Sequence, residues 1–305
     1  MNYDVIGDVH GHSEKLKALL TKLGYRERQR AWRHSDPSQT AIFVGDFIDR
    51  GPGQLETMQI VRSMLDSGTA LAVMGNHEFN AIGYHTPDPT NPGEYVRPHT
   101  ASNVEQHAEF VGATAGAHQE HLDWFLTLPL WLELDGLRVI HACWHHKFMS
   151  AITPLLGSDK TLDIGLVVAA SRKRTPEHQA IEALLKGPEL KLPGDLYFLD
   201  KSGLKRTEAR VRWWDGSATT YRQTAICDDA TRRQLPTTDI PEEFRLGYSD
   251  DKPVFFGHYW FSGVPEVLST RAACVDYSAG KAKGPLVAYR WQGEQNLSSG
   301  HFTST

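Results

Sequence analysis

Three short polar motifs near the start of the chain do most to limit what it can fold into. They are Gly7-Asp8-Val9-His10-Gly11, Gly45-Asp46-Phe47-Ile48-Asp49-Arg50-Gly51 and Gly75-Asn76-His77-Glu78. Each follows a short apolar run: Tyr3 to Ile6, Ala41 to Val44 and Leu71 to Met74. Each precedes a segment of helical character. This β-α-β-α-β alternation predicts an α/β fold with parallel strands and right-handed crossovers. Three strand ends then deliver Asp8, His10, Asp46, Asp49, Arg50, Asn76 and His77 to one sheet edge, where ligands of open α/β sheets bind.

The rest of the pattern is read in order. Ser13 is the expected N-cap of a helix from Glu14 to about Leu23. Leu16, Leu19, Leu20 and Leu23 give it an apolar face, and Gly24 a stop. Residues 25 to 39 read as a polar connection with a turn at Asp36-Pro37-Ser38. A second helix is expected from about Gln54 to Asp66, ended by Gly68. Residues 85 to 100 hold four prolines, Pro87, Pro89, Pro92 and Pro98, and predict a loop. A loop of that length after a site motif is expected to be a lid or substrate wall. Residues 103 to 112 and 118 to 127 read as helices. Asp135-Gly136 between Leu130–Leu134 and Leu137–Ile140 predicts a hairpin whose second strand ends at His141. Helices are expected near 160–170 and 176–186, and residues 215 to 250 are turn-rich. Pro253 to Phe256 predicts a strand ending at Gly257-His258-Tyr259. Arg271–Val275 and Leu286–Trp291 are expected to be two antiparallel strands closing a second sheet.

Composition narrows the function. With 305 residues the chain can bury a substantial core. Its formal net charge of -5 gives no overall basic field, so nucleic acid is not an expected partner. Cys143, Cys227 and Cys274 are far apart and form no CxxC pair, which suits a reducing cytoplasm better than a disulfide framework. The first motif begins at Gly7, leaving no expected room for a signal peptide. No run approaches the roughly 20 apolar residues of a membrane span.

Asp8, His10, Asp46, Asn76, His141 and His258 combine carboxylate, amide and imidazole without thiolate. Such a set suits Mn²⁺, Fe or Zn²⁺, with Mn²⁺ the first expectation. Six ligands exceed one open catalytic site and suit two metals sharing a bridging carboxylate, spaced about 3.5–4 Å. A hydroxide between them is the expected nucleophile for in-line attack on phosphorus. Arg50 offers a planar fork for phosphate oxygens. His77 is placed to protonate the leaving oxygen, with Asp49 orienting its ring. His12, His34, His107, His118, His121, His145 and His146 are assigned surface or structural positions.

With these motifs in place, the chain resembles the calcineurin-like metallophosphoesterases, and most the phosphoprotein phosphatase branch. That branch is marked by GDxHG, GDxxDRG and GNHE, followed by two separate histidine motifs, here His141 and Gly257-His258. Val275-Asp276-Tyr277, with Gly280 and Gly284, resembles the family's closing strands, so one domain over residues 1–305 is expected. The resemblance implies a four-layer αββα sandwich, two mixed sheets flanked by helices. It implies Asp8 and His10 on the first metal, Asp46 as the bridge, and Asn76, His141 and His258 on the second. It implies phosphate binding by Arg50 and Asn76, with His77 and Asp49 as the general-acid pair.

There are departures from the pattern. Ala142-Cys143-Trp144 stands where the family has glycine after the first late histidine. Trp144 and Tyr259 therefore become candidate substrate contacts. Arg206, Arg210 and Arg212 are candidates for a second phosphate-binding arginine. The long interval from His141 to His258 suggests an insertion within residues 151–252. The resemblance implies a phosphomonoesterase acting on phosphoprotein, in the manner of a Ser/Thr phosphatase. Its alternatives are a dinucleoside polyphosphate hydrolase, a nucleic-acid phosphoesterase and an inactive scaffold.

Overall fold

A computed structural model describes residues 1–199 and 203–305. The amino-terminal unit runs β1 (Asn2–Ile6), α1 (Ser13–Leu23), β2 (Tyr25–Arg28), β3 (Ala31–His34), β4 (Gln39–Phe43), α2 (Gln54–Asp66), β5 (Ala70–Ala72) and α3 (Asn76–His85). There follow α4 (Ala101–Thr114), α5 (His118–Phe125), β6 (Trp131–Glu133), β7 (Arg138–Ile140), α6 (His146–Ile152), α7 (Ile164–Ala170) and α8 (Pro176–Lys186). A stretch of short elements comes next: β8 (Glu189–Lys191), β9 (Phe198–Leu199), β10 (Lys205–Arg206), β11 (Glu208–Val211), α9 (Tyr221–Thr224), β12 (Ala225–Ile226) and α10 (Asp229–Gln234). The chain ends with β13 (Val254–Phe256), β14 (Ala272–Cys274), β15 (Val287–Trp291) and β16 (Phe302–Ser304).

Two mixed sheets form the centre, in the orders β16-β15-β1-β4-β5 and β14-β13-β7-β6. Strand alternation splits the core between them. Val5, Ile42, Val139, Phe255 and Ala273 join Tyr289 and Trp291 in one cluster drawn from both sheets. Their neighbours Ile6, Phe43, Ile140, Val254 and Phe256 pack instead with helical residues such as Leu16, Val61 and Leu184. This is the expected αββα layering. Among the described residues no helix is long and apolar enough to cross a membrane.

The parallel β1-β4-β5 order and the β6–β7 hairpin agree with the sequence reading. Gly24 closes α1 in the left-handed region at φ 101°. Three local expectations do not hold. The cap of α1 is His12, without a side-chain hydrogen bond, and Ser13 is the first helical residue. Residues 25–39 contain the β2–β3 hairpin, whose turn uses Gln29 and Arg30 at φ 52° and 67°. Glycine or asparagine ordinarily marks such a turn, and neither is present to signal it. The last two long strands do not pair with each other. Ala272–Cys274 lies parallel to β13 in the second sheet, while β15 crosses to the first sheet and runs antiparallel to β1. There Tyr289 and Trp291 fill the space between the sheets.

The proline-rich loop is tied down along its length. Val96 N–H donates to Thr86 O and Arg97 N–H to Gly83 O, both at 2.9 Å. His99 donates to Tyr84 O at 2.8 Å and stacks between Tyr84 and Tyr95, with ring centroids at 3.9 and 4.1 Å.

Candidate metal centre

The strand ends meet because glycines let their turns touch. A Cβ on Gly45, itself at φ 99°, would lie 2.5 Å from Gly75 N, and one on Gly75 would lie 2.2 Å from Asp46 Oδ1. The second and third motifs are therefore in backbone contact. Strain gathers at the same place: His10, Asp46, Asp49, Arg50 and His258 all hold positive φ, at 49°, 54°, 69°, 69° and 70°. Such conformations persist only where surrounding structure imposes them, and they concentrate at functional sites.

Glu78 supplies much of that support. Its carboxylate accepts N–H groups from Asp46 and Phe47 at 2.8 Å and from Gly75 at 3.0 Å. Burial, then the nearby Asp46 charge, pushes Glu78 up to about 7. Glu78→Ala orphans three buried donors and is expected to cost about 3 kcal/mol or more, read as a lowered urea midpoint. An unchanged midpoint would mean that these turns hold without it.

Two groups of buried side chains share Asp46. One is His10, Asp46 and His77; the other is Asp46, His141 and His258. Within each, the ligating atoms lie within 4.8 Å of one another. His10 Nε2 is 3.7 Å and His141 Nε2 3.5 Å from the Asp46 carboxylate. His10 Nδ1 donates to Ile48 O at 3.1 Å, and His141 Nδ1 to Val44 O at 2.7 Å, so each ring turns its other nitrogen inward. His141 Nε2 then presents its lone pair to Asn76 Oδ1 at 3.1 Å. This acceptor-to-acceptor approach would be satisfied by a cation held by both. His258 Nδ1 also approaches Asn76 Oδ1, at 2.7 Å. Asp8 borders these groups, its Oδ2 accepting His258 N–H at 3.0 Å.

Electrostatics favour cations here. Asp8 Oδ1, His10 Nε2, Asp46 Oδ2 and His258 Nε2 are all buried and without hydrogen-bond partners among the described residues. Groups left in this way ordinarily mark a missing ligand or ion. Burial, then Asp276 and Asp46, drives the Asp8 carboxyl well above its usual range. Burial, then His77, pulls His10 down to about 3. Burial and then Arg210 pull His258 well below its ordinary value, leaving it neutral and able to ligate. Burial pushes Asp46 up, but His141, His77 and His10 together hold it below the ordinary value, as a carboxylate. The residues present thus fit a pair of divalent metals.

Beside the centre, His77 Nδ1 donates to Asp49 Oδ2 at 2.5 Å. Burial opposes the charged ring of His77, yet Asp46 and Asp49 outweigh it and raise its pKa. His107 Nδ1 donates to the other Asp49 oxygen at 3.1 Å. Asp49 therefore carries an imidazole on each side, and His107, assigned a surface or structural position from the sequence, is a buried partner of Asp49. Its position on α4 gave no motif to find it by. Arg50 is exposed, with its guanidinium carbon 4.3 Å from the Trp260 ring centre. Trp260, held by Asp276 Oδ2 at 2.6 Å, is a further residue that sequence reasoning missed.

Trp144 and Tyr259 are each only 5% exposed. Tyr259 packs among Trp214, Phe256 and Phe261, and Trp144 under Arg138. Of the three arginines, Arg210 is the one whose charge depresses both His141 and His258.

The family model for calcineurin-like phosphoesterase matches residues 1–192. A symmetrical bis(5'-nucleosyl)-tetraphosphatase of Methylobacillus flagellatus is 24% identical over 95% of this chain and 92% of its own. An asymmetrical bis(5'-nucleosyl)-tetraphosphatase of Halalkalibacterium halodurans is 46% identical over 77 residues, 25% of this chain and 31% of the relative. The match thus spans about a third of that relative's length. A serine/threonine phosphatase structure from Saccharomyces cerevisiae superposes with TM-score 0.51 at 16% identity, covering 100% of this chain and 79% of that one. This last likeness is one of fold. The chain belongs to the calcineurin-like phosphoesterase family.

Proposed function

We propose that the enzyme hydrolyses phosphomonoesters, with phosphoserine- and phosphothreonine-bearing peptides as the substrate class. The observation that carries this reading is the buried His77–Asp49 pair beside the Asp46 groups. A raised pKa keeps His77 a proton donor near neutral pH. An alkoxide leaving from a phosphomonoester is strongly basic and needs that proton, whereas a nucleotide leaving from a phosphoanhydride is already a weak base.

Asp8 and His10 would hold one ion, Asn76, His141 and His258 the other, with Asp46 between them. Two divalent ions, Mn²⁺ first, would supply Lewis acidity and an activated water for the displacement. Arg50, steadied by Trp260, would grip phosphate oxygens from the exposed side. His77 would give its proton to the leaving oxygen while Asp49, braced by His107, keeps the ring aligned. The pinned loop of residues 86–100 would be a fixed wall of the substrate groove.

Arg210 is the second phosphate cation in this reading, since its charge bears on His141 and His258. Arg210→Ala is expected to raise KM roughly tenfold with a smaller change in kcat, as loss of one charge-assisted bond predicts. An unchanged KM for a small phosphomonoester would remove it from the site.

Dinucleoside polyphosphate hydrolysis is a second reading, favoured by the relative from Methylobacillus flagellatus that aligns along nearly the whole chain. The deciding experiment strips metal, restores Mn²⁺, and compares turnover of phosphopeptides with that of diadenosine tetraphosphate. Higher kcat/KM for phosphopeptides is expected. A clear preference for the dinucleotide would replace the monoesterase reading.

A further inference from the structure

We infer that a cavity ringed by Arg212, Arg222 and Arg232 is a second oxyanion site, separate from the metal centre, that takes a phosphate-class dianion. The cavity has a volume of about 240 Å³, and Asp215, Ser217 and Gln223 complete its polar lining. No lining residue belongs to the Asp46 groups, and neither Arg50 nor Arg210 reaches it.

The arginines are set in place by the backbone. Arg222 Nε donates to Leu235 O at 2.8 Å and its Nη2 to Arg233 O at 3.1 Å. Arg232 Nη2 donates to Cys227 O at 3.1 Å. Bonds to carbonyls fix these guanidinium planes without neutralising them. Charge balance is left open. The single lining carboxylate, Asp215, accepts Ser217 N–H at 3.0 Å and Ser217 O–H at 2.6 Å and also attracts Arg212, so it offsets one of the three positive charges. Arg232 also meets Asp229 at 3.2 Å, but Asp229 is 79% exposed, and such a pair contributes little. Arg232 Nε is buried with no partner among the described residues. Burial, then the facing Arg232, pulls Arg212 below its ordinary value, so the two cations are close enough to repel.

Three forks around one space, with spare donors and excess positive charge, suit a tetrahedral oxyanion. Size narrows the class. The cavity holds the equivalent of roughly eight waters, at about 30 Å³ each. It falls below the ~300 Å³ at which small-molecule pockets usually begin. One phosphoryl group fits, either as free phosphate or as the end of a larger molecule. A whole nucleotide does not.

Calorimetric titration of inorganic phosphate into the metal-loaded protein tests this. Wild type is expected to bind two equivalents, one at the metal centre and one here. Arg212→Gln combined with Arg232→Gln should weaken one equivalent at least tenfold. Turnover of p-nitrophenyl phosphate should be unchanged. Arg222→Gln, at an exposed position, gives a second variant should the double variant misfold, with circular dichroism checking both. A parallel titration with phenylphosphonate separates the sources. Binding of both probes assigns the site to a phosphoryl group on a larger molecule, and binding of phosphate alone to the free ion. A single wild-type equivalent that the arginine variants leave unchanged, or two retained in the folded variants, overturns the site. Failure of the metal-centre reading would look different: turnover would be missing while the arginine-dependent equivalent remained.

Discussion

Replacing Asp46 with alanine is expected to abolish metal binding and turnover together. Asp46 is the one side chain common to the His10–Asp46–His77 and Asp46–His141–His258 groups. On the proposed assignment, removing it would take a ligand oxygen from both ions and the carboxylate that faces His10, His77 and His141. Outer residues that only support a ligand typically cost 10–100-fold in metal affinity or activity. Loss of the shared ligand should exceed the top of that range, more than ~100-fold in each. Metal content by mass spectrometry, measured with kcat/KM on one sample, checks it. Asp46→Asn is the matched control. Its amide oxygen can still accept the His77 N–H, bonded to Asp46 Oδ1 at 2.9 Å, but the bridging charge is gone. If Asp46→Ala retains two equivalents of metal, the shared-ligand assignment is wrong.

Replacing His77 with alanine should give the opposite pattern, with metal kept and chemistry lost. A positioned general acid contributes about 10²–10⁴-fold, and kcat should fall by that amount on an alkyl phosphate. On p-nitrophenyl phosphate, whose leaving group is a weak base, the fall should be much smaller. The pH profile supplies a second readout. The acid must carry its proton, and its pKa is raised. Wild-type activity should therefore persist above the ordinary histidine pKa near 6.5 and decline as pH rises through the raised value. The variant should lack that alkaline limb. His77 Nε2 also stands 3.9 Å from Asp46 Oδ2, which makes a ligand role the natural competitor. Loss of bound metal in His77→Ala would decide for that competitor.

His107 can be separated from both. It touches Asp49 but none of the residues assigned to metal. Its neighbour Gln106 lies 3.4 Å from His77 Nδ1 and is itself held by Arg97 at 2.8 Å. The His77–Asp49 pair is thus braced from α4 and the proline-rich loop, two segments without a recognisable motif.

The sequence by itself determined the centre's chemistry and its first scaffold. Apolar runs before Gly7, Gly45 and Gly75 placed Asp8, Asp46 and Asn76 just beyond strand ends. Strand period and turn glycines are local signals, and they survive without any partner. The hairpin at Asp135-Gly136 was readable for the same reason. Tertiary structure alone decided the crossing of β15 to β1, the contact of His107 with Asp49, and the cover of Trp260 over Arg50. It also decided which of Arg206, Arg210 and Arg212 bears on the late histidines. Each of these joins residues that chain order keeps apart, and neither helix nor strand periodicity encodes such a pairing. They follow from packing two twisted sheets face to face, where buried aromatic area and backbone pairing select one arrangement. The candidate ligands could be read from local sequence, while the groups packed around them were fixed only when the sheets closed.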